Sequence, residues 1–352
     1  MKPFYIDRFL VAEDEPPIFL PDIGTFFNQD MEIARNLVKK LKTSGVQLIK
    51  GEILHDAAIS SNNDTSETYL SRNRGVVKER YRDLIERKVV SLYEYELLFN
   101  YCKTEGMGFV LSVYDFVGAE FGKHIGASAL KVASSNIVHQ PLIEFVARLK
   151  LPMIIDTGKS TLEEIARAVN WAQDAGAEMI MIQHSPEAPP APIENHNLRM
   201  ISTLRKLFDY PIGLSDHHAG EEMLYAAIAL GASAVEKGVC PDEHKADQDT
   251  YHAMPVSQVS EVVEKCRRIH MALGSGMRYL RRDRTKYTSR MGLVSAANLI
   301  NGDRLTLSNV SFAFPAEGVP VEHWGIIEGW IIRHEIPAGK PIQWRDVKPP
   351  TS

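Results

Sequence analysis

A chain of 352 residues has room for one large domain or two unequal ones, with ample surface to bury. Its 45 acidic side chains outnumber its 40 basic ones, which excludes the global positive field that gathers nucleic acid or anionic lipid. Three widely spaced cysteines, Cys102, Cys240 and Cys266, form neither a disulfide framework nor a thiolate zinc site and fit a reducing cytoplasm.

The opening segment, MKPFYIDRFLVAEDEPP, carries acids where a signal peptide carries an apolar core. No apolar run approaches the ~20 residues of a membrane span. The expectation is a soluble cytoplasmic protein. IFLPDIG (18–24) then reads as a strand and MEIARNLVKKLKTSG (31–45) as a helix, with Ile33, Leu37, Val38 and Leu41 on one face and Gly45 as the stop. The alternation recurs. Further strands are expected at VQLIKGE (46–52), FVLSV (109–113), ALKVAS (129–134), PMIIDTG (152–158), MIMIQHS (179–185), PIGLSDHH (211–218) and AVEKG (234–238). Among the intervening helices, TLEEIARAVNWAQDAGA (161–177) opens on Thr161 and Glu164, the spacing of a capping box, and another is GEEMLYAAIALGA (220–232). Eight strands alternating with helices over about 270 residues predict an α/β fold of the (β/α)8 TIM-barrel type spanning residues 1–276, with a doubly wound open sheet as the alternative.

Asp22, Lys50 and Glu52, Ser112 and Asp115, Lys131 and Ser134, Asp156 and Thr157, His184, Ser215 with Asp216 and His217, and Glu236 with Lys237 all fall at or just past the C-terminal end of a strand. In a closed barrel those positions converge on one mouth, where such folds build their active sites. Lysines inside apolar strands need anionic partners. The segment SGMRYLRRDRTKYTSR that follows the barrel holds six Lys or Arg and reads as a solvated basic linker over 277–290. The tail, 291–352, repeats itself: Gly302, Leu305, Asn309 and Val310 recur as Gly339, Ile342, Asp346 and Val347, a displacement of 37 residues. Two copies of one pattern predict a small pseudo-symmetric β module.

The phrases PDIGTFFNQDMEIARNLVKKLKTSGVQLIK, LKVASSNIVHQPLIEFVARLKLPMIIDTGKSTLEEI, NLRMISTLRKLF and PIGLSDHHAGEEMLYAAIALGASAVEKG, in this order and spacing, resemble the sialic acid synthase family. Members join phosphoenolpyruvate to an N-acetyl amino sugar, and the spore coat polysaccharide biosynthesis E proteins are similar. The tail resembles the antifreeze-like SAF domain fused to these barrels. The resemblance implies that Lys50 and Lys131 bind the anionic substrate, that Ser112 and Asp115 follow strand three as a hydroxyl and a carboxylate, and that Ser134 and Ser215 serve the phosphate. It implies that His217 is one of two histidines holding a divalent metal, commonly manganese, and that the partners are small molecules, with no nucleic acid and no membrane. It also implies a homodimer in which each tail covers the other subunit's barrel.

Five positions depart from the family pattern. Gly238 stands where the second metal histidine is expected, Asp22 replaces a glutamate, and Asp156 replaces a serine that contacts phosphate. The asparagine after strand six aligns near Ala188, and Phe314 stands in place of an arginine that reaches the sugar. His184, His218 and His252 are therefore the candidate replacement ligands, and a carboxylate-rich mouth favours Mn or Mg. Asp22 or Glu236 is the expected general base. Two other readings follow from the departures: an aldolase or condensing enzyme for a non-acetylated sugar, and a sugar-binding paralogue with an impaired metal site.

Overall fold

The computed structural model describes residues 2–71, 75–186, 192–243, 251–278 and 286–350. The chain divides into two compact units, Met1–Gly274 and Ser275–Ser352. The expected position of Ala188 and residues 279–285 of the basic linker lie outside the described residues.

Eight parallel strands build the first unit: β1 (Ile18–Gly24), β2 (Leu48–Ile53), β3 (Gly108–Val113), β4 (Ala129–Val132), β5 (Met153–Asp156), β6 (Ile180–His184), β7 (Ile212–Asp216) and β8 (Ala234–Cys240). Each pairs with its neighbours in the chain, and β8 pairs with both β7 and β1, so the sheet closes into a barrel. The open-sheet alternative is thereby removed. These strands read as near-continuous apolar runs because both faces are covered, as expected of parallel sheets under helices.

Side chains alternate between the two faces with a period of two, and this orders the barrel interior. Leu20, Leu48, Val110, Ala129, Ile154, Met181 and Ala234 form one buried inner layer. Two residues further along their strands stand Asp22, Lys50, Ser112, Lys131, Asp156, Gln183 and Glu236, all at most 9 % exposed. The apolar layer is closed from below by an N-terminal hairpin, Phe4–Ile6 with Phe9–Val11, whose Phe4, Ile6 and Val11 pack on it. The outward-facing positions pack against the helices in a second, larger core. Helix α1 (Met31–Thr43) starts on the Asp30 carboxylate and buries Leu37, Val38 and Leu41. Helix α2 (Leu162–Asp174) carries the expected capping box, with the Glu164 amide donating to Thr161 Oγ1 at 3.2 Å and the Thr161 amide to Glu164 Oε2 at 2.8 Å. Between β2 and β3 the chain inserts a hairpin, Ser66–Ser71 with Gly75–Arg80, and a short helix, Tyr81–Glu86.

In the second unit the internal repeat is visible in the hydrogen bonds. Leu299 and Ile336, 37 positions apart, donate to one another's carbonyls at 2.9 Å. The Gly302 amide bonds Ile332 O and the Leu305 amide Trp330 O, while the Gly339 amide bonds Ser295 O and the Ile342 amide Leu293 O. Shifting either pair by the repeat length gives the other with the halves exchanged. Asn309 accepts from the Thr306 amide as Asp346 accepts from the Gln343 amide. Each half thus completes the other, burying Leu293, Leu305, Val310, Ile332, Ile342 and Val347.

Candidate active site

A cavity of about 790 Å³ opens at the C-terminal end of the barrel, and Asp22, Lys50, Ser112, Asp115, Lys131, Ser134, Asp156, Ser215, His217, Glu236 and His252 line it. Its floor is a chain of alternating charges. Lys50 Nζ lies 2.7 Å from Asp22 Oδ2, 3.0 Å from Glu52 Oε1 and 3.8 Å from Glu236 Oε1. Lys131 Nζ lies 2.8 Å from both Glu236 oxygens, 2.8 Å from Asp156 Oδ2 and 3.3 Å from Ser215 Oγ. Taking these ammonium groups out of water requires such partners. Burial pushes both lysines down, but the surrounding carboxylates outweigh it, so both are held above the usual lysine range.

The same network splits two carboxyl groups. Burial raises Asp22 to about 7, the charges of Glu52 and Glu236 adding to the rise and Lys50 opposing it. Burial also acts on Glu236, yet Lys131 and Lys50 flank it and hold it at about 2. Asp22 is thus a group that exchanges a proton near neutrality, whereas Glu236 stays ionised. Neighbouring carboxyls pushed apart in this way mark an acid–base site.

His217 Nδ1 lies 3.2 Å from His252 Nε2, and its Nε2 is 3.5 Å from Ser215 Oγ. Burial lowers His217 and favours neutral imidazole, the form that ligates metal. The structure brings His252 to His217 and places the other two candidate ligands elsewhere. His184 Nε2 is 2.8 Å from His196 O, and His218 Nε2 is 2.8 Å from Glu222 Oε1; neither lines the cavity. Both are corrected as candidate ligands. The cause for His184 is strand parity: Gln183 points inward with Met181, and His184 outward with Ile182. Lys237 and Asp216 are corrected in the same way. They pair at 2.7 Å with both side chains fully buried, and Lys237 also takes Gly220 O at 2.8 Å and His218 O. That lysine ties down the loop carrying His217 and does not face the mouth.

Gly238 has a structural counterpart. A Cβ there would lie 2.9 Å from Phe26 Cζ and 3.7 Å from Ala253 Cα. The Phe26 ring fills the space a side chain would need, and the residue before Ala253 supplies His252. With their ring nitrogens 3.2 Å apart, His217 and His252 are the residues that would hold a divalent ion. Among the described residues no group of three His, Cys, Asp or Glu side chains is arranged to hold a metal.

Several lining residues escaped the sequence reading: Tyr114, whose hydroxyl donates to Glu52 Oε2 at 3.1 Å, Ser135, Asn136 and His139 beyond β4, and Tyr81, Ile85 and Lys88 from the insertion after β2. Only Tyr114 had a signal, two residues past inward-facing Ser112. Asp115 caps its helix through the Gly118 amide at 2.6 Å and meets His55 Nε2 at 3.0 Å. Phe314 belongs to the second unit and is 62 % exposed. No helix among the described residues is long and apolar enough to cross a membrane.

Comparison with known proteins agrees with this architecture. An uncharacterised protein of Methanocaldococcus jannaschii is 28 % identical over 344 residues, 97 % of each chain. The N,N'-diacetyllegionaminic acid synthase of Legionella pneumophila is 22 % identical over 335 residues, 94 % of each chain. The spore coat polysaccharide biosynthesis protein spsE of Bacillus subtilis, a solved structure, superposes with a TM-score of 0.66 at 23 % identity, covering 99 % of this chain and all of that one. Residues 290–348 match the SAF domain. Residues 37–278, well over half of the chain, match the NeuB family, and the protein therefore belongs to that family.

Proposed function

We propose that the protein condenses phosphoenolpyruvate with the open-chain aldehyde of an amino sugar, giving a nonulosonate-type acid and inorganic phosphate. The observation that carries this reading is the convergence of Lys50, Lys131, Ser215 and His217 with a carboxyl pair split in proton affinity, all in one barrel mouth. Lys50 and Lys131, with Ser112, Ser134 and Ser215, hold the phosphate and carboxylate. The enol carbon then attacks the aldehyde carbon. Asp22 takes a proton from the water that adds to the resulting oxocarbenium-like centre, and phosphate leaves. Glu236 fixes both ammonium groups and counters the positive charge of that centre. Asp115 holds the β3 loop and its helix in place.

His217 and His252 are the residues that would hold a divalent ion, and polarisation of the sugar aldehyde is the chemistry such an ion supplies when bound. The tail, with Phe314, closes the mouth of a partner subunit in a homodimer, and the enzyme works in the cytoplasm. A binding protein without turnover is the second reading, favoured by the complete pairing of Lys131 with carboxylates. The deciding experiment incubates full-length protein with phosphoenolpyruvate, Mn²⁺ and a panel of N-acetylated and free hexosamines, following phosphate release. Release that requires a sugar supports condensation; tight binding without release supports the second reading. Light scattering of the same sample tests the dimer.

A further inference from the structure

Lys131 offers three N–H donors, and four oxygen atoms already surround it: two of Glu236 and one of Asp156, each at 2.8 Å, and Ser215 Oγ at 3.3 Å. Lys50 is less crowded, with two oxygens at 2.7 and 3.0 Å and a third only at 3.8 Å. An incoming anion therefore finds no open donor on Lys131. The two carboxylates beside that ammonium are not equivalent. Glu236 is gripped by both its oxygens and lies between two lysines, whereas Asp156 places Oδ2 at 2.8 Å from Lys131 and has its Oδ1 on the Gly158 amide at 3.2 Å. It can release the ammonium without losing every partner.

Hydroxyl groups stand near the loop that follows Asp156. Ser134 approaches the β5 loop so closely that a Cβ on Gly158 would meet its Oγ at 3.1 Å, and Ser135 and Asn136 line the cavity beside it. The cavity as a whole is acidic: among the described residues, six carboxylates and three lysines line it. A further anion is repelled unless one of those charges yields.

We propose that Asp156 is a built-in competitor for Lys131, so that a phosphate or carboxylate group of the substrate binds this ammonium only by displacing the aspartate. This rests on the condensation reading for the identity of the anion. Asp156 sets how tightly the anionic substrate is held and screens out weaker anions that cannot displace it.

The test is calorimetric titration of the full-length, chelator-treated protein with phosphoenolpyruvate and, separately, inorganic phosphate. Wild type is compared with Asp156→Ser, which removes charge and bulk, and Asp156→Asn, which removes charge alone. Both variants are expected to bind phosphoenolpyruvate at least tenfold more tightly than wild type, and phosphate with a parallel gain. A gain of affinity does not arise from a loosened fold, and melting curves recorded alongside identify any variant that is not folded. Equal or weaker binding by both variants overturns the proposal. So does a gain confined to the serine variant, which would assign the effect to space and not to charge. Binding of phosphoenolpyruvate by wild type with no gain in either variant leaves the condensation reading standing and removes only the competitor; failure of all three to bind it removes both.

Discussion

Replacing Lys131 by alanine probes both the fold and the chemistry, and its cost is worked from the charge network. Glu236 sits at about 2 in the folded protein against an ordinary carboxylate value of 4.5, held down by Lys131 first and then Lys50, a difference that corresponds to about 3 kcal/mol of stability at neutral pH, most of it resting on Lys131. Deleting one partner of a buried ion pair costs ~3–5 kcal/mol, which agrees. A folded-state value below the unfolded one contributes stability that is present above about 4.5 and is lost as the pH falls towards 2. The deficit of Lys131→Ala should therefore be full at pH 7 and shrink on acidification below 4.5. At roughly 2–4 °C per kcal/mol for a domain of this size, the melting temperature should fall by ~6–12 °C at pH 7. Thermal melts followed by circular dichroism at pH 3 and pH 7 give the measurement. Calorimetry at a temperature where the variant is folded should show phosphoenolpyruvate binding weakened ~10-fold or more, the loss of a charge-assisted contact of roughly 1.5–3 kcal/mol. A melting temperature within 2 °C of wild type at pH 7, or a deficit that is the same at both pH values, refutes the charge-network reasoning. Unchanged substrate affinity refutes the role given to Lys131.

Asp22 at about 7 acts as a base only when ionised, so the rate of phosphate release should climb with pH up to about 7 and level off above. Asp22→Asn should abolish that limb and lower the rate by ~10²–10⁴-fold, and a wild-type profile flat between pH 6 and 8 argues against Asp22. For the metal, His252→Ala should weaken Mn²⁺ binding measured by electron paramagnetic resonance at least tenfold, while His218→Ala and His184→Ala leave it within twofold; equal losses in all three would mean that the pair at 3.2 Å is not the ion's anchor. Gly238→His should not restore a second ligand, because its Cβ meets the Phe26 ring at 2.9 Å, and overpacking should cost ~1–3 kcal/mol. Combining it with Phe26→Ala should cost less than the two single changes together, and additivity within ~0.5 kcal/mol in urea denaturation would show that the ring is not what excludes the side chain.

The barrel was legible because a parallel strand covered on both faces is apolar over its whole length, and the eight runs from Ile18 to Cys240 stand out against amphipathic helices. Local signals held where chemistry fixes them, as in the Thr161–Glu164 box, and the 37-residue repeat of the tail reappears as exchanged backbone hydrogen bonds. The N-terminal hairpin was not legible. Its strands, Phe4–Ile6 and Phe9–Val11, have three residues each, and the acidic stretch after them reads as a loop. The insertion after β2 was missed for a related reason: the residues of Gly75–Arg80 are exposed or half-buried, so they leave no apolar signature although the segment leads into the cavity wall.

The site was read less well, and by one residue at a time. Position at a strand end gathers polar residues from both faces of the strand equally. Parity separates them. Counting by two from the inner layer of Leu48, Ala129, Ile154, Met181 and Ala234 leads to Lys50, Lys131, Asp156, Gln183 and Glu236, all buried. The same count sends His184 and Asp216 out with the helix-facing Ile182 and Leu214, and Lys237 with Val235. A one-residue error in a strand moves a side chain to the other face, which is how Gln183 was passed over for its neighbour. Parity does not extend past the strands, and His252 shows the consequence. It lies beyond β8, in the segment that passes Gly238, where neither spacing nor alternation ties it to His217; only the closed barrel brings a nitrogen of each ring to 3.2 Å from the other. The Phe26 ring stands against Gly238 and the segment that carries His252 passes the same glycine, a closeness that a sequence read strand by strand leaves unconnected.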